Sequence, residues 1–423
     1  MIKFLLKGII RDKTRSLFPF LTVTLGVMLT VFLYSYTQGA LTQMVDYSAK
    51  FVTGHVKITT RGYAKEESQK PLDLALFGVS SLIEKLNREY PNMIWCPRIV
   101  FGGLLDVPDE KGETRIQSPV AGTAVDLLSK PVEIEILNIK KGLVRGKLPT
   151  SSDEILISEQ FARRLKVNPG VKVTLITNDA WGGLAIKNFR IAGTLNFGVD
   201  ALDRQTIFAD LKGVQNALAL DDAAGEILGF FKDFVYRDIE AKMIAEEFNK
   251  KYGKPGDELS PFMRALSQQP GMEEYISYIK DWVGIFIAIF IFAMSIVLWN
   301  SGLLGGLRRY SEIGVRLALG EDKGHIYRTL LGESLIIGIF GTVAGTLLGL
   351  GVSYYVQVHG INMSQLFKNA TIMLPNVIRA RITPGSFYVG FIPGLIAPLI
   401  GTALSGIGVY KRETSSLIRE FAE

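Results

Sequence analysis

The sequence predicts a membrane protein of four transmembrane α-helices, with a large α+β domain outside the membrane between the first and the second. Its mean hydropathy of +0.24 is too apolar for most soluble globular chains, yet too low for one lying almost wholly in a bilayer. The apolar residues gather into four long runs, while the stretch between the first two alternates strand-like and helix-like patterns. With 423 residues, 48% of them hydrophobic and 21% charged, a disordered chain is excluded. Cys96 is the only cysteine, which excludes an intrachain disulfide scaffold.

Residues 1–16 carry Lys3, Lys7, Arg11, Lys13 and Arg15 and read as a cytoplasmic amphipathic helix. The first span, 17–36, is uncharged and follows this basic stretch as a signal peptide would. It is long, lacks a small-residue cleavage site and continues into polar helical sequence, so it reads as a retained span. Residues 37–281 form the outer domain. Gly54 to Thr59, Asp153 to Ile157 and Val171 to Leu175 are strand-like, and Ser80 to Glu89 and Glu159 to Leu165 are helical. Residues 137–220 read as an inserted subdomain. At the flanks, Leu41, Met44 and Tyr47 continue the first helix outward, and Ser260-Pro261 can cap a helix running toward Trp282, with a break near Pro270-Gly271; both spans then extend as stalks.

The second span, 282–304, is the strongest: at about 1.5 Å per residue it covers a hydrocarbon core of about 30 Å. An amphipathic helix and turn follow at 305–329, then a third span at 330–356, a short outer loop at 357–386, a fourth span at 387–410 and a tail at 411–423. Pro393 and Pro398 should kink the fourth span. The Lys/Arg-rich segments before span one, between spans two and three and after span four fall on one side, which the positive-inside rule makes the cytoplasm. The net charge of +6 is thus mainly a topology signal. It does not mark a nucleic-acid protein, which would need a basic groove with interleaved aromatic residues.

Several chemistries are absent. No stretch fits G-x-x-x-x-G-K-[ST], because Gly142 and Gly146 stand one residue too close and Leu148 follows Lys147. His55, His325 and His359 are far apart and show no metal-ligand spacing. The residues around Ser405 lack the glycines of a nucleophile elbow. Glu133 with Glu135, and Asp221 with Asp222, read as solvated surface or strand-end residues, and Cys96 as a small buried or surface residue.

Between spans two and three, Leu303, Leu307, Tyr310, Ile313 and Leu317 line one helix face, and Arg309, Glu312 and Arg316 the other. Gly320 ends the helix. Composition alone fits a basic helix lying on anionic headgroups equally well. The stretch Arg309 to Gly320, with Ile326 and Glu333 beyond it, resembles the motif R-x-x-E-I-G-[IV]-R-x-A-[LV]-G of the MacB/FtsX/lipoprotein-releasing (Lol) superfamily of ABC transporter permeases, the mechanotransmission class. The run from Arg145-Gly146-Lys147-Leu148 through Glu154 to Ser158, Ala162, Leu165, Val167 and Gly170 is similar to the outer domain of that superfamily. The tail departs from it, with Thr414 and Ser416 where family members often carry proline and glutamate.

The resemblance implies a non-catalytic permease subunit in the bacterial inner membrane, with both termini cytoplasmic. It implies no cofactor in this chain, since ATP and Mg would be bound by a separate ATP-binding subunit present in two copies. Arg309, Glu312, Ile313, Gly314, Val315, Arg316, Leu319 and Gly320 would be the coupling residues seated in that ATPase. A second copy or paralogue of the permease would complete a dimer. In layout the chain is most similar to the lipoprotein-releasing permeases, which implies a lipoprotein or lipid-like cargo and a periplasmic carrier or adaptor. MacB-like efflux and FtsX-like control of an outside hydrolase are the alternatives. Gly341, Gly345 and Gly349 recur every four residues in span three and predict a helix-packing stripe. Tyr36, Leu41, Met44, Val283 and Phe286, at the outer ends of spans one and two, are the candidate cargo surface.

Overall fold

The structure, a computed structural model, describes residues 13–411 except 110, 130–131, 198–199, 308–309 and 363–376. Within that range the chain divides into two compact units, one holding residues 44–276 and the other the segments up to 43, 277–362 and from 377. Helix α1 spans Lys13–Ser48 and ends in a π-helical turn, Ala49–Thr53. The outward continuation of the first span is therefore helical as far as Ser48.

The 44–276 unit is built on a ten-stranded mixed sheet. Its elements in chain order are β1 (Val56–Thr60), β2 (Leu76–Phe77), α2 (Val79–Glu89), β3 (Met93–Pro108), β4 (Thr114–Val125), β5 (Leu143–Gly146), β6 (Glu154–Ser158), α3 (Glu159–Leu165), β7 (Lys172–Asn178), β8 (Leu184–Leu195), β9 (Thr206–Asp210), α4 (Leu211–Ala217), β10 (Ala223–Ala224), β11 (Glu226–Phe231), α5 (Asp238–Tyr252) and β12 (Pro261–Ala265). The strand order is β12-β1-β11-β3-β4-β9-β6-β8-β5, with β7 bridging β3 and β8. Strand β3 is shared: Met93 to Arg98 pair with β11, and Ile99 onward pairs with β4. Two cores lie along it. Val56, Ile58, Leu86 and Phe248 pack with α2 and α5 in one, and Ile99, Leu105, Ile155, Phe161, Phe189 and Val214 with α3 and α4 in the other. Each fully buried aliphatic or aromatic side chain contributes about 1.5–3 kcal/mol.

The second core also includes Ile99, Leu105 and Val120, upstream of residues 137–220. One sequence expectation changes here. Ser260-Pro261 caps no helix: Pro261 opens the edge strand β12, where a missing N–H is tolerated. The helix toward Trp282 starts instead at Met272, past the Pro270-Gly271 break.

The other unit holds four apolar helices of membrane-spanning length. After α1 come α6 (Met272–Leu307), α7 (Tyr310–Ala318) and α8 (Lys323–His359). The fourth span passes through a 3-10 turn at Pro384–Phe387 and a π-helical turn at Ile392–Ile396 into α9 (Ala397–Lys411). Pro393, which cannot donate to an α-helical ladder, sits in the π turn as its backbone chemistry requires. A short ladder of β13 (Ile361–Asn362) with β14 (Val377–Ile378) precedes that span.

Lipid tails are as apolar as leucine, so these helices hold together by close packing of small residues. A methyl on Gly341 would stand 2.8 Å from Val23 Cγ1, on Gly345 2.6 Å from the Thr24 carbonyl oxygen, and on Gly349 2.8 Å from Val31 Cβ. The stripe rises with α1 numbering, so α1 and α8 run parallel. Gly302 meets the Pro398 carbonyl and Gly401 the Trp299 carbonyl in the same manner, joining α6 to α9.

Candidate coupling site

Helix α7 is fixed at both ends. Gly320 takes φ +90°, and the Gly320 and Glu321 N–H groups donate to the carbonyls of Leu317 and Arg316 at 3.0 and 3.1 Å, the paired bonds of a Schellman stop. Immediately beyond, the Asp322 carboxylate caps α8 by accepting from the Gly324 and His325 N–H groups at 2.9 and 3.2 Å. The reversal therefore needs only Leu319 to Asp322. Tyr310, Ile313 and Leu317 pack on Ile326 and Leu330 of α8. The Tyr310 hydroxyl donates to the Ser405 carbonyl of α9 at 2.7 Å. Helix α7 is thus tied to two spans at once.

The opposite face comprises Glu312, Val315, Arg316 and Leu319, at positions i, i+3, i+4 and i+7. Val315 is 55% and Leu319 83% exposed. Glu312 and Arg316 are joined by an ion pair of 2.7 Å along the helix surface, with the carboxylate in the first turn and the guanidinium in the last, as the helix dipole favours. This is a narrow surface: two apolar side chains beside a mutually neutralised charge pair.

Measured against the sequence expectation, the eight residues divide. Glu312, Val315, Arg316, Leu319 and Gly320 lie on accessible surface, but Ile313 and Gly314 are buried in the chain's own packing. Ile313, on the apolar face that periodicity gives, is covered by α8. Arg309 lies outside the described residues. Gly341, Gly345 and Gly349 do form a packing stripe, and it is filled by α1 of the same chain. Of the cargo candidates, Met44 and Phe286 are exposed, while Tyr36, Leu41 and Val283 are half-buried.

His55, Cys96 and Ser405 are all buried. His55 is buried, and its Nδ1 accepts from the Phe231 N–H at 3.1 Å; burial pushes its pKa down to about 4. Burial pushes the Cys96 thiol well above its usual range. Ser405 is buried with its Oγ donating to the Thr402 carbonyl at 2.9 Å. No group of three or more His, Cys, Asp or Glu able to hold a metal ion occurs among the described residues.

Two buried ionic clusters had no signal in sequence spacing. Glu133, read as a solvated or strand-end residue, is buried and accepts two parallel bonds of 2.8 Å from Arg98, 35 positions away. Arg98 also donates to the Phe51 carbonyl at 3.2 Å, just beyond α1. In the neighbouring core, Lys57 pairs with Glu67 at 2.8 Å and Glu226 at 3.1 Å, and Lys70 also pairs with Glu226. Burial opposes ionisation of Glu226, but the two ammonium groups outweigh it and hold its pKa at about 2.

The described residues thus combine four apolar helices of membrane-spanning length, a tethered amphipathic helix between the second and third, and a large α+β insertion between the first and second. Residues 284–414 match the family of the FtsX-like permease C-terminal domain. It is 24% identical to an uncharacterized ABC transporter permease of Methanocaldococcus jannaschii over 60% of this chain and 59% of that one. It is 39% identical to the ABC transporter permease YtrF of Bacillus subtilis over 17% of this chain and 16% of that one. The chain thus spans less than two thirds of either relative. A crystal structure of the periplasmic region of MacB from Actinobacillus actinomycetemcomitans aligns with 54% of this chain and 95% of its own, at 14% identity and a TM-score of 0.38.

Proposed function

We propose that this chain is the non-catalytic membrane subunit of an ABC transporter and passes motion from a separate ATP-binding subunit to its outer domain. The observation that carries the reading is the exposed face Glu312, Val315, Arg316 and Leu319 on a helix whose other face is anchored to α8 and α9. An apolar pair beside a charge pair suits a protein groove: Val315 and Leu319 bury on docking, and the carboxylate and guanidinium exchange their mutual contact for charge-assisted bonds. Because α7 is tied to two spans, displacement of its tip moves both. Two ATP-binding subunits closing on nucleotide would drive two such helices together, in a pair of permeases, identical or related, within the inner membrane with both termini cytoplasmic. ATP and Mg belong to the partner.

The cargo we favour is a lipoprotein or lipid-like molecule passed to a periplasmic carrier or adaptor. Supporting this is the large outer insertion. Met44 and Phe286, exposed and apolar, are the first residues to test as its contact surface.

Glu312→Lys tests the coupling reading. The variant should insert normally and lose most of the ATP-binding subunit on co-purification; full recovery of the complex would remove α7 as the docking element. Acylated protein co-purifying with the nucleotide-free complex is the expected result for the cargo, and its absence together with normal lipoprotein sorting after depletion would reject that half of the reading.

A further inference from the structure

An open cleft of about 310 Å³ lies in the outer domain between the one-turn helix Arg61–Lys65, the turn Gly256-Asp257-Glu258 and the edge strand β12. Its walls are fixed. The Arg61 and Gly62 N–H groups donate to the carbonyls of Ser260 and Glu258 at 3.0 and 2.8 Å, binding the helix to the turn. Strand β12 is held by β1 on one side and by the Asn249 side-chain amide on the other, which bonds both the N–H and the carbonyl of Met263.

Three cations line the cleft, and two are neutralised. Lys65 pairs with Glu258 at 2.9 Å on the exposed rim, and Arg264 pairs with Glu67. Arg61 has no carboxylate partner among the described residues. Its guanidinium lies 4.9 Å from the Phe262 ring, which Arg264 approaches from 6.0 Å, and its Nε is buried without a hydrogen bond. The Asp257 carboxylate also faces the cleft, and one of its oxygens accepts from the Leu259 N–H at 3.0 Å. A buried guanidinium N–H left unpaired is costly, and a planar fork stacked on an aromatic ring matches a planar or tetrahedral oxyanion.

We propose that this cleft binds a small oxyanion, carboxylate or phosphate, through Arg61, with Phe262 as the platform that orients it. The volume lies at the small end of ligand sites and suits a single headgroup or a small soluble acid. This reading does not depend on the coupling function.

The test is calorimetric titration of the full chain in phosphatidylcholine nanodiscs with inorganic phosphate, ionic strength being balanced with chloride. Saturable binding is expected, weakened roughly ten- to hundredfold in Arg61→Gln, the loss of one or two charge-assisted bonds, and unchanged in the remote surface variant Lys172→Gln. Far-UV dichroism and the melting curve monitor folding. If Arg61→Gln fails to fold, Arg61→Lys serves instead, and its loss of the fork should also weaken binding. Equal affinity in wild type and the folded Arg61 variant, or heats that never saturate, overturns the proposal. Repeating the titration in phosphatidylglycerol nanodiscs separates the sources: competition identifies a lipid headgroup, and unchanged affinity a soluble anion.

Discussion

Replacing Gly345 with alanine adds one methyl at the tightest point between α1 and α8. That methyl would stand 2.6 Å from the Thr24 carbonyl oxygen and 2.8 Å from Val27 Cβ, about 0.8 Å short of ordinary contact at the closer atom. A backbone carbonyl cannot rotate aside as a side chain can, so the helices must separate. Overpacking of this kind costs about 1–3 kcal/mol. The control lies about one and two-thirds turns along the same helix: Gly351 has no atom within 4 Å of an added methyl. Gly351→Ala should therefore be neutral or stabilising by up to about 1 kcal/mol, because alanine is the better helix former. Unfolding by detergent titration in mixed micelles should separate the two variants by about 1–4 kcal/mol, with Gly345→Ala below wild type and Gly351→Ala at or above it. Equal stabilities would refute the packing of α8 on α1 through this stripe.

The outer domain should lose stability in mild acid through His55. Burial depresses its pKa from 6.5 to about 4, so its contribution is complete above 6.5 and lost as pH falls through 4. The unfolding free energy from denaturant titration should fall across that window with a slope of up to about 1.4 kcal/mol per pH unit, and His55→Gln should flatten it. Arg98→Met strands the buried Glu133 carboxylate and should cost about 3–5 kcal/mol, whereas Arg98→Met with Glu133→Met should recover most of it in the same assay.

The layout of the chain was legible in sequence because its signals are local. Runs of apolar residues mark the four spans, the period of Tyr310, Ile313 and Leu317 marks the buried face of α7, and Gly320 marks its stop. What escaped depends on partners distant in the chain. Gly341, Gly345 and Gly349 announce a smooth face without naming α1 as the helix that fills it. Ile313 and Gly314 belong to a motif, and a motif does not tell which members face inward. The Arg98–Glu133 pair joins the middle of a long strand to a one-turn helix, a juxtaposition set by the sheet. Pro261 looked like a helix start because proline favours the first turn, yet it serves an edge strand equally well.

The central claim is that the exposed face of α7 meets the ATP-binding subunit. Photo-crosslinking from a benzophenone side chain tests it directly, with the probe at Leu319 on the exposed face and at Ile313 on the buried one, in membranes containing the complex. The account predicts an adduct with the ATP-binding subunit from position 319 that changes in yield with nucleotide, and from position 313 only adducts within the chain. Adducts with that subunit from 313 but not 319, or from neither, would contradict it.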